Sequence, residues 1–169
     1  MLKIINDLMP FFEDCYRRIN VREYAKITRI SPPTASKLLS HYCSEKFLVK
    51  SKYRNFLLFS ANSPNKQFID LSRIYWFERM DELIEFMKKK LVSPAIILFG
   101  SLSKAEAKAD SDVDLAVFAH KRELNLESFE KKLKRKIRIF WFGSLKEIKN
   151  KELANNILNG YVLAGRILL

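Results

Sequence analysis

The sequence has few of the residues that mark specialised chain classes, with Cys 2, Gly 4 and Pro 5 in 169 residues. Cys15 and Cys43 lie in helix-like contexts without metal-ligand spacing, which predicts reduced thiols rather than a disulfide framework. Low glycine and proline exclude collagen-like and low-complexity chains. The longest apolar stretch, around 94–100, is far shorter than the ~20 residues that span a bilayer. Asp7 interrupts any signal-peptide core, so we expect a cytoplasmic protein with no membrane partner.

The sequence is rich in hydrophobic residues and in positively charged residues. Hydrophobic residues make up 48% of the chain and aromatic residues 12%, which is enough for a folded core and excludes intrinsic disorder. The net charge of +12 favours a polyanionic partner such as nucleic acid or nucleotide, although solubility alone also explains a lysine-rich surface. Residues 1–65 carry 11 basic and 5 acidic side chains, residues 66–90 carry 6 and 5, and residues 91–169 carry 14 and 9. Two basic halves therefore flank a nearly neutral middle.

The first 62 residues predict three short helices followed by a β-hairpin. Asn20 and Ser31 are capping residues at the starts of the second and third helices, and Pro32 follows Ser31 at the first helical position. The predicted helices cover about 2–16, 21–29 and 31–43, and two short strands at 47–49 and 56–59 flank a polar tip at 50–55.

This order resembles the winged helix–turn–helix fold, over roughly residues 1–60. The resemblance implies a DNA-binding surface on the third helix and the hairpin. Short polar and basic side chains near the start of a recognition helix reach base edges, whereas hairpin cations suit phosphates. The candidate DNA-binding residues are Thr34, Ser36, Lys37, Lys50, Lys52 and Arg54. A module that serves only protein contacts is the alternative.

A long helix predicted over 67–90 separates the two halves. We expect a winged helix–turn–helix domain at 1–62, a connecting helix at 63–91 and an α/β domain with a mixed sheet and flanking helices at 92–169, an α+β chain overall. Packing of the long helix against its own copy in a homodimer is the alternative to a connector. The second half predicts strands at 95–99, 113–118 and 136–142, helices from 101, over 124–134 and over 145–159, and a final strand or short helix at 161–169.

The stretch IILFGSLSKAEAKADSDVDLAVF carries the clearest chemical signal. A strand ends in Gly100-Ser101, a short helix follows, and after a ten-residue spacer Asp112 and Asp114 open another strand. Glycine lets the backbone approach a ligand closely, and the new helix start offers N–H groups to phosphates. Carboxylates two apart on a strand project from one face, where oxygen ligands hold Mg²⁺. The pattern predicts a metal-assisted nucleotide site.

This pattern resembles the motif of the nucleotidyltransferase superfamily that includes DNA polymerase beta, which consists of Gly-Ser, a short spacer and Asp-x-Asp. The resemblance covers about residues 92–142. The ten-residue spacer and the small size are similar to those of the minimal nucleotidyltransferases, some of which act as antitoxins paired with a toxin protein. The resemblance implies Mg²⁺ and ATP or another nucleoside triphosphate, with Asp112 and Asp114 as metal-binding catalytic residues and Gly100, Ser101 and Lys104 contacting the triphosphate. Ala105 stands where a second glycine is usual in that family.

One position departs from that family. Active members place a third carboxylate on a neighbouring strand, but the corresponding strand, at 136–142, has no acid, and Arg138 occupies that position. A cation there repels a second Mg²⁺ or pairs with a phosphate or with the two aspartates. The site then transfers slowly, borrows Glu127 or Glu130, or binds nucleotide without turnover.

We therefore expect Mg²⁺-dependent transfer of a nucleoside monophosphate, most simply AMP from ATP, to a protein or RNA hydroxyl, in a chain that also binds DNA. The alternative is a DNA-binding regulator or antitoxin-like protein whose nucleotidyltransferase domain is catalytically degenerate.

Overall fold

The computed structural model describes residues 2–167, which divide into two compact units. The first unit contains the residues up to Tyr75 together with Ala105–Ala109. The second contains Trp76–Lys104 and the residues from Asp110 onward. Helices and strands occur in both, so the predicted α+β class is confirmed.

The first unit begins with three helices, α1 (Lys3–Glu13), α2 (Val21–Thr28) and α3 (Pro32–Ser44). The two predicted caps are present. The Asn20 side chain accepts a hydrogen bond from the Glu23 N–H at 3.0 Å, and the Ser31 hydroxyl accepts one from the Thr34 N–H at 3.4 Å. Each satisfies an N–H group that the first helical turn leaves without a backbone partner.

The unit also contains a three-stranded antiparallel sheet of strand order β1-β3-β2, whose first strand lies between α1 and α2 and whose other two follow α3. Its strands are β1 (Ile19–Asn20), β2 (Leu48–Tyr53) and β3 (Phe56–Ala61). The hairpin is longer than predicted: Lys50 and Lys52 lie on β2 rather than in a polar tip, and only Arg54 of the three predicted cations lies in the turn. The strands extend because β2 pairs with β3 in continuous register out to Tyr53 and Phe56.

Aromatic side chains of the helices and of β3 are part of the unit's core. Phe11, Phe12, Tyr24 and Phe59 are buried, and the ring centroids of Phe11 and Tyr24 are 6.0 Å apart. The Tyr24 hydroxyl donates to the Asp7 carbonyl at 2.8 Å, which satisfies its polar end. Aromatic burial of this kind supplies much of the stability of a small unit.

The long helix α4 (Lys66–Lys90) begins one residue before the predicted start. Asn65 caps it, because its side-chain oxygen accepts a hydrogen bond from the Phe68 N–H at 3.1 Å. The division between the two units falls within this helix, after Tyr75.

The second unit is built on a mixed four-stranded sheet of order β6-β5-β4-β7. Its strands are β4 (Ala95–Phe99), β5 (Val113–Phe118), β6 (Ile137–Phe142) and β7 (Tyr161–Ala164). β4 pairs antiparallel with β5 and with β7, whereas β5 and β6 are parallel. The bounds of β4 and β5 are those predicted from the sequence. Of the last predicted segment, 161–169, Tyr161–Ala164 forms a strand, and the two final residues lie outside the described residues.

The helices of the second unit are shorter than the sequence predicts. The predicted helix at 124–134 is α5 (Glu127–Leu133), and the one at 145–159 is a single 3-10 turn (Leu145–Glu147) followed by α6 (Lys151–Leu158). The break before α6 has a local cause, because Asn150 turns its side chain back to cap the Leu153 N–H at 3.0 Å.

One face of this sheet packs against the region of α6. This face carries a cluster of Ile97, Phe99 and Ala116 that packs with Ile148 and Ile157 from that region. Asp114 and Arg138 belong to the same face, since strand residues two apart share a side. Among residues 2–167, no helix is long and apolar enough to cross a membrane.

Candidate functional site

Asp112 and Asp114 converge on one cation at the start of β5. Asp114 lies opposite Arg138 of β6 in the parallel register. The Arg138 Nε donates to Asp114 Oδ1 at 2.8 Å and lies 3.2 Å from Asp112 Oδ2. The two aspartates therefore share a face, as the Asp-x-Asp spacing predicts, and Arg138 bridges them.

The three side chains differ in their access to solvent. The exposed fraction is 13% for the Asp114 side chain, 31% for Asp112 and 57% for Arg138. The hydrogen bond to Asp114 and the negative charges of both aspartates raise the pKa of the Arg138 guanidinium above its usual value. The cluster keeps one negative charge in excess, and its cation is the most exposed and most easily displaced member.

Gly100 brings the main chain against the same carboxylate. Its φ of +74° lies in the left-handed region, and a Cβ at this position would come within 2.6 Å of Asp114 Oδ2. Only glycine fits both requirements without strain. The end of β4 and the start of β5 are therefore in close contact at the aspartate pair, and Phe99 and Asp114 are partners in the register.

The segment after Gly100 is a tighter turn than predicted. The predicted short helix is a single 3-10 turn, Leu102–Lys104, in which the Lys104 N–H donates to the Ser101 carbonyl at 3.3 Å. One turn presents far less of a helix dipole than a full helix does. Ala105 follows with a φ of +55°, so the residue in the usual glycine position does adopt a glycine-like conformation.

Lys104 has a partner that sequence reasoning missed. Its Nζ donates to Asn156 Oδ1 of α6 at 2.8 Å, in a partly buried contact. The structure thus places Lys104 toward α6, and contact with a triphosphate would require this hydrogen bond to be exchanged for one to phosphate. No local sequence signal connects the two residues, which are 52 positions apart.

Arg135 is a second residue whose role the sequence did not reveal. Arg135 lies in the basic run at 131–136. The simplest interpretation of that run is the solvent-exposed end of a helix, but the Arg135 side chain is buried. Its Nη1 donates to the Ser111 carbonyl at 2.6 Å, and its guanidinium lies 4.9 Å from the Trp76 ring centroid. Arg135 therefore holds the main chain directly before Asp112. Its only sequence signal is that it is an arginine among lysines.

The two acids that could complete a carboxylate triad lie elsewhere. Glu130 Oε1 accepts a hydrogen bond from the Ile137 N–H at 2.9 Å, and this bond lowers the pKa of the Glu130 carboxyl. Glu127 is exposed on α5. Over the described chain, no three His, Cys, Asp or Glu side chains form a group able to hold a metal ion.

The aspartate pair fits one magnesium ion but not two. Mg²⁺ is usually held by one or two carboxylates together with substrate phosphates, and Asp112 and Asp114 supply two convergent carboxylates. A second ion would need a further carboxylate, and the β6 residue that faces Asp114 in the described structure is Arg138. The chemistry of the donor set therefore suits a metal that arrives with a triphosphate.

The predicted DNA-binding residues are all exposed in the first unit. Thr34, Ser36 and Lys37 lie in the first turns of α3, and the Thr34 hydroxyl is within 2.8 Å of the Ser31 hydroxyl. Ala35, Leu39 and Tyr42 are buried on the opposite side of that helix, as its apolar pattern predicts, and Leu38 is half-buried. The side of α3 that carries the polar residues is thus open to solvent.

Comparison with known proteins identifies the second unit. The family model described as polymerase beta, nucleotidyltransferase matches residues 81–166, just over half of the chain. The matched region contains the Gly100 turn, the aspartate pair and Arg138. No curated protein and no solved structure matches the chain. Membership of this family indicates nucleoside monophosphate transfer in general terms. On the family match and on the geometry of its aspartate pair, the chain belongs to the polymerase beta nucleotidyltransferase family.

Proposed function

We propose that the chain transfers a nucleoside monophosphate, most simply AMP from ATP, to a hydroxyl group of a protein or RNA. The observation that carries this proposal is the convergence of Asp112 and Asp114 beside Gly100 within the matched family region. Two carboxylates on one face and a main-chain turn without a side chain suit a magnesium-bound triphosphate.

The side chains of the site have separate tasks in this reaction. Magnesium, when bound with the triphosphate, neutralises charge that develops on the phosphate oxygens. Asp112 and Asp114 would hold that cation, while Gly100 lets the main chain approach the phosphates and Ser101 offers its hydroxyl as a donor. Arg138 turns from the carboxylates to a phosphate oxygen, a movement that its exposed position permits. The acceptor oxygen bonds to the α-phosphorus, pyrophosphate leaves, and the hydroxyl proton passes to solvent or to a carboxylate.

Labelled ATP tests the proposal directly. With the label on the α-phosphate, Mg²⁺ and candidate acceptors should yield labelled protein or RNA, and a γ-phosphate label should yield none. Asp112→Asn should abolish the transfer, whereas Asp110→Asn, an exposed neighbour outside the pair, should retain it. A protein that neither transfers label nor binds nucleotide would contradict the proposal.

A second candidate function is favoured by Arg138. A cation bridging both aspartates, and the lack of a third carboxylate near them in the described residues, suit a domain that binds nucleotide or a partner protein without transfer. The chain would then be a DNA-binding regulator, or an antitoxin-like protein with a toxin partner. This candidate predicts saturable nucleotide binding without label transfer to any acceptor.

The proposed DNA partner belongs to the first unit in both cases. We infer a winged helix–turn–helix from three helices followed by a hairpin, with exposed Ser36 and Lys37 on α3. Duplex binding should weaken steeply with salt, with a slope that falls by about 0.9 for each phosphate contact removed. Lys37→Ala should reduce binding, and Asp112→Ala should not. Loss of duplex binding in a folded Asp112→Ala protein would contradict the independence of the two sites.

A further inference from the structure

The hairpin of the first unit exposes two aromatic rings at its tip. Tyr53 and Phe56 are 57% and 59% exposed and are direct partners in the β2–β3 register, on either side of the turn at Arg54 and Asn55. Large apolar side chains scattered singly on a surface are ordinary, but two paired at the end of a hairpin form a common surface. Their rings are available to a flat ligand.

The alternation along β2 separates this aromatic surface from a basic one. Residues two apart share a face, so Tyr53 lies with Val49, and Lys50 lies with Lys52 on the opposite face. Of the six residues of β2, only Leu48 is buried. The hairpin therefore presents apolar rings on one side and two cations on the other.

A cleft adjoins the aromatic tip. It has a volume of about 670 Å³ and lies between the start of α2 and the hairpin turn, where Arg22, Lys26, Asn55 and Phe56 line it. This volume lies within the range of ~300–1,000 Å³ that is typical of small-ligand sites. An aromatic wall, an amide and two cations suit a nucleobase with its phosphate.

The charge around the tip is almost entirely positive. Residues 46–65 include Lys46, Lys50, Lys52 and Arg54 and no acidic residue. The Arg54 guanidinium lies 5.5 Å from the Tyr53 ring centroid, which adds a cation to the stacking surface. Glu23, the one acid at the cleft wall, forms an ion pair with Arg17. The ligand should therefore be an anion with flat apolar faces. A second copy of the hairpin is disfavoured because it would bring like charges together.

We propose that the hairpin tip and its cleft bind single-stranded DNA, with bases stacked on Tyr53 and Phe56 and phosphates on the neighbouring cations. Stacking on exposed aromatic rings beside a basic groove is how proteins bind unpaired bases without sequence preference. The inference rests on the proposed assignment of DNA to the first unit and adds unpaired bases to its ligands.

Anisotropy of a labelled oligothymidine of about 12 nucleotides tests this with the full chain. Phe56→Ala should weaken binding about tenfold without changing its salt dependence, and Phe56→Trp should restore it. Lys26→Ala, which removes a cation that lines the cleft, should instead lower the salt slope by about 0.7. Tyr16→Ala is the matched control, because Tyr16 is an equally exposed aromatic residue outside the hairpin, and it should bind as the wild type does.

The other outcomes separate this inference from the function on which it rests. Binding of duplex but not oligothymidine would overturn the inference and leave duplex recognition intact. Binding of neither would overturn both. Tighter binding of oligouridine would assign the surface to RNA instead of DNA. If Phe56→Ala kept full oligothymidine affinity but converted a dimer to a monomer in sedimentation, the aromatic tip would be a contact between copies.

Discussion

Removal of the Arg138 cation should make the aspartate pair a stronger metal site. In Arg138→Gln, Asp112 and Asp114 lose the guanidinium that lies 3.2 Å and 2.8 Å from their oxygens. A divalent ion bound between the same carboxylates no longer competes with, or is repelled by, that charge. We expect Mn²⁺ to bind more tightly to the variant than to the wild type.

The size of the effect follows from the exposure of the arginine. Because its side chain is 57% exposed, a water-like dielectric applies, in which unit charges about 4 Å apart interact by about 1 kcal/mol. A divalent ion doubles this to about 2 kcal/mol, which is roughly a 30-fold gain in affinity. The stability of the fold should change by less than about 1 kcal/mol, as for other exposed ion pairs.

Titration of free Mn²⁺ by electron paramagnetic resonance measures the affinity, and Arg138→Lys and Lys136→Gln are the controls. Arg138→Lys keeps the positive charge and should bind Mn²⁺ as weakly as the wild type does. Lys136→Gln removes a cation beside the same strand, one that pairs with Glu130 at 3.4 Å and not with the aspartates. An unchanged affinity in folded Arg138→Gln, or an equal gain in Lys136→Gln, would refute competition at the aspartate pair.

Three further predictions concern Gly100, Arg135 and Glu130. Gly100→Ala should cost about 1–3 kcal/mol in urea unfolding and weaken Mn²⁺ binding, since it places a Cβ against a site carboxylate at positive φ. Gly143→Ala is its control and should cost less, because a Cβ there meets the end of a flexible glutamate. Arg135→Met should weaken Mn²⁺ binding while helix content by circular dichroism is retained, and Arg135→Lys should restore it only in part. The hydrogen bond from the Ile137 N–H lowers the pKa of the Glu130 carboxyl, so this carboxylate stabilises the fold above its unfolded-state pKa and loses the contribution as the pH falls through its folded-state pKa. Glu130→Gln should therefore flatten the acid side of the unfolding midpoint plotted against pH.

The sequence predicted the features that local rules determine. Asn20 and Ser31 cap their helices because capping needs only a side-chain oxygen three residues before an N–H group. The bounds of β4 and β5 followed from short apolar runs between turn residues. Arg138 lies on the face of Asp114, which the sequence predicted because strand alternation fixes the face of each residue once the neighbouring strand is known.

The features that the sequence did not reveal depend on distant partners. Arg135 is buried because it packs against the Trp76 ring and donates a hydrogen bond to the Ser111 carbonyl, and both partners are distant from it in sequence. Lys104 points to Asn156 for the same kind of reason. The extension of β2 through Lys50 and Lys52 likewise depends on pairing with β3. The polar residues of this segment predict a loop when they are considered alone.

Arg138 is the residue on which the two candidate functions differ. A metal ion that binds the aspartates without nucleotide displaces the Arg138 guanidinium and gives it no new partner except water. A triphosphate offers phosphate oxygens, to which arginine bonds as strongly as to carboxylates. The exchange then replaces one set of charge-assisted hydrogen bonds with another, and the exposed arginine is free to make it. A site of this kind discriminates against metal without nucleotide, which is a property that a catalyst and a nucleotide sensor would share. What separates the two functions is whether a hydroxyl acceptor reaches the α-phosphate once Arg138 has moved.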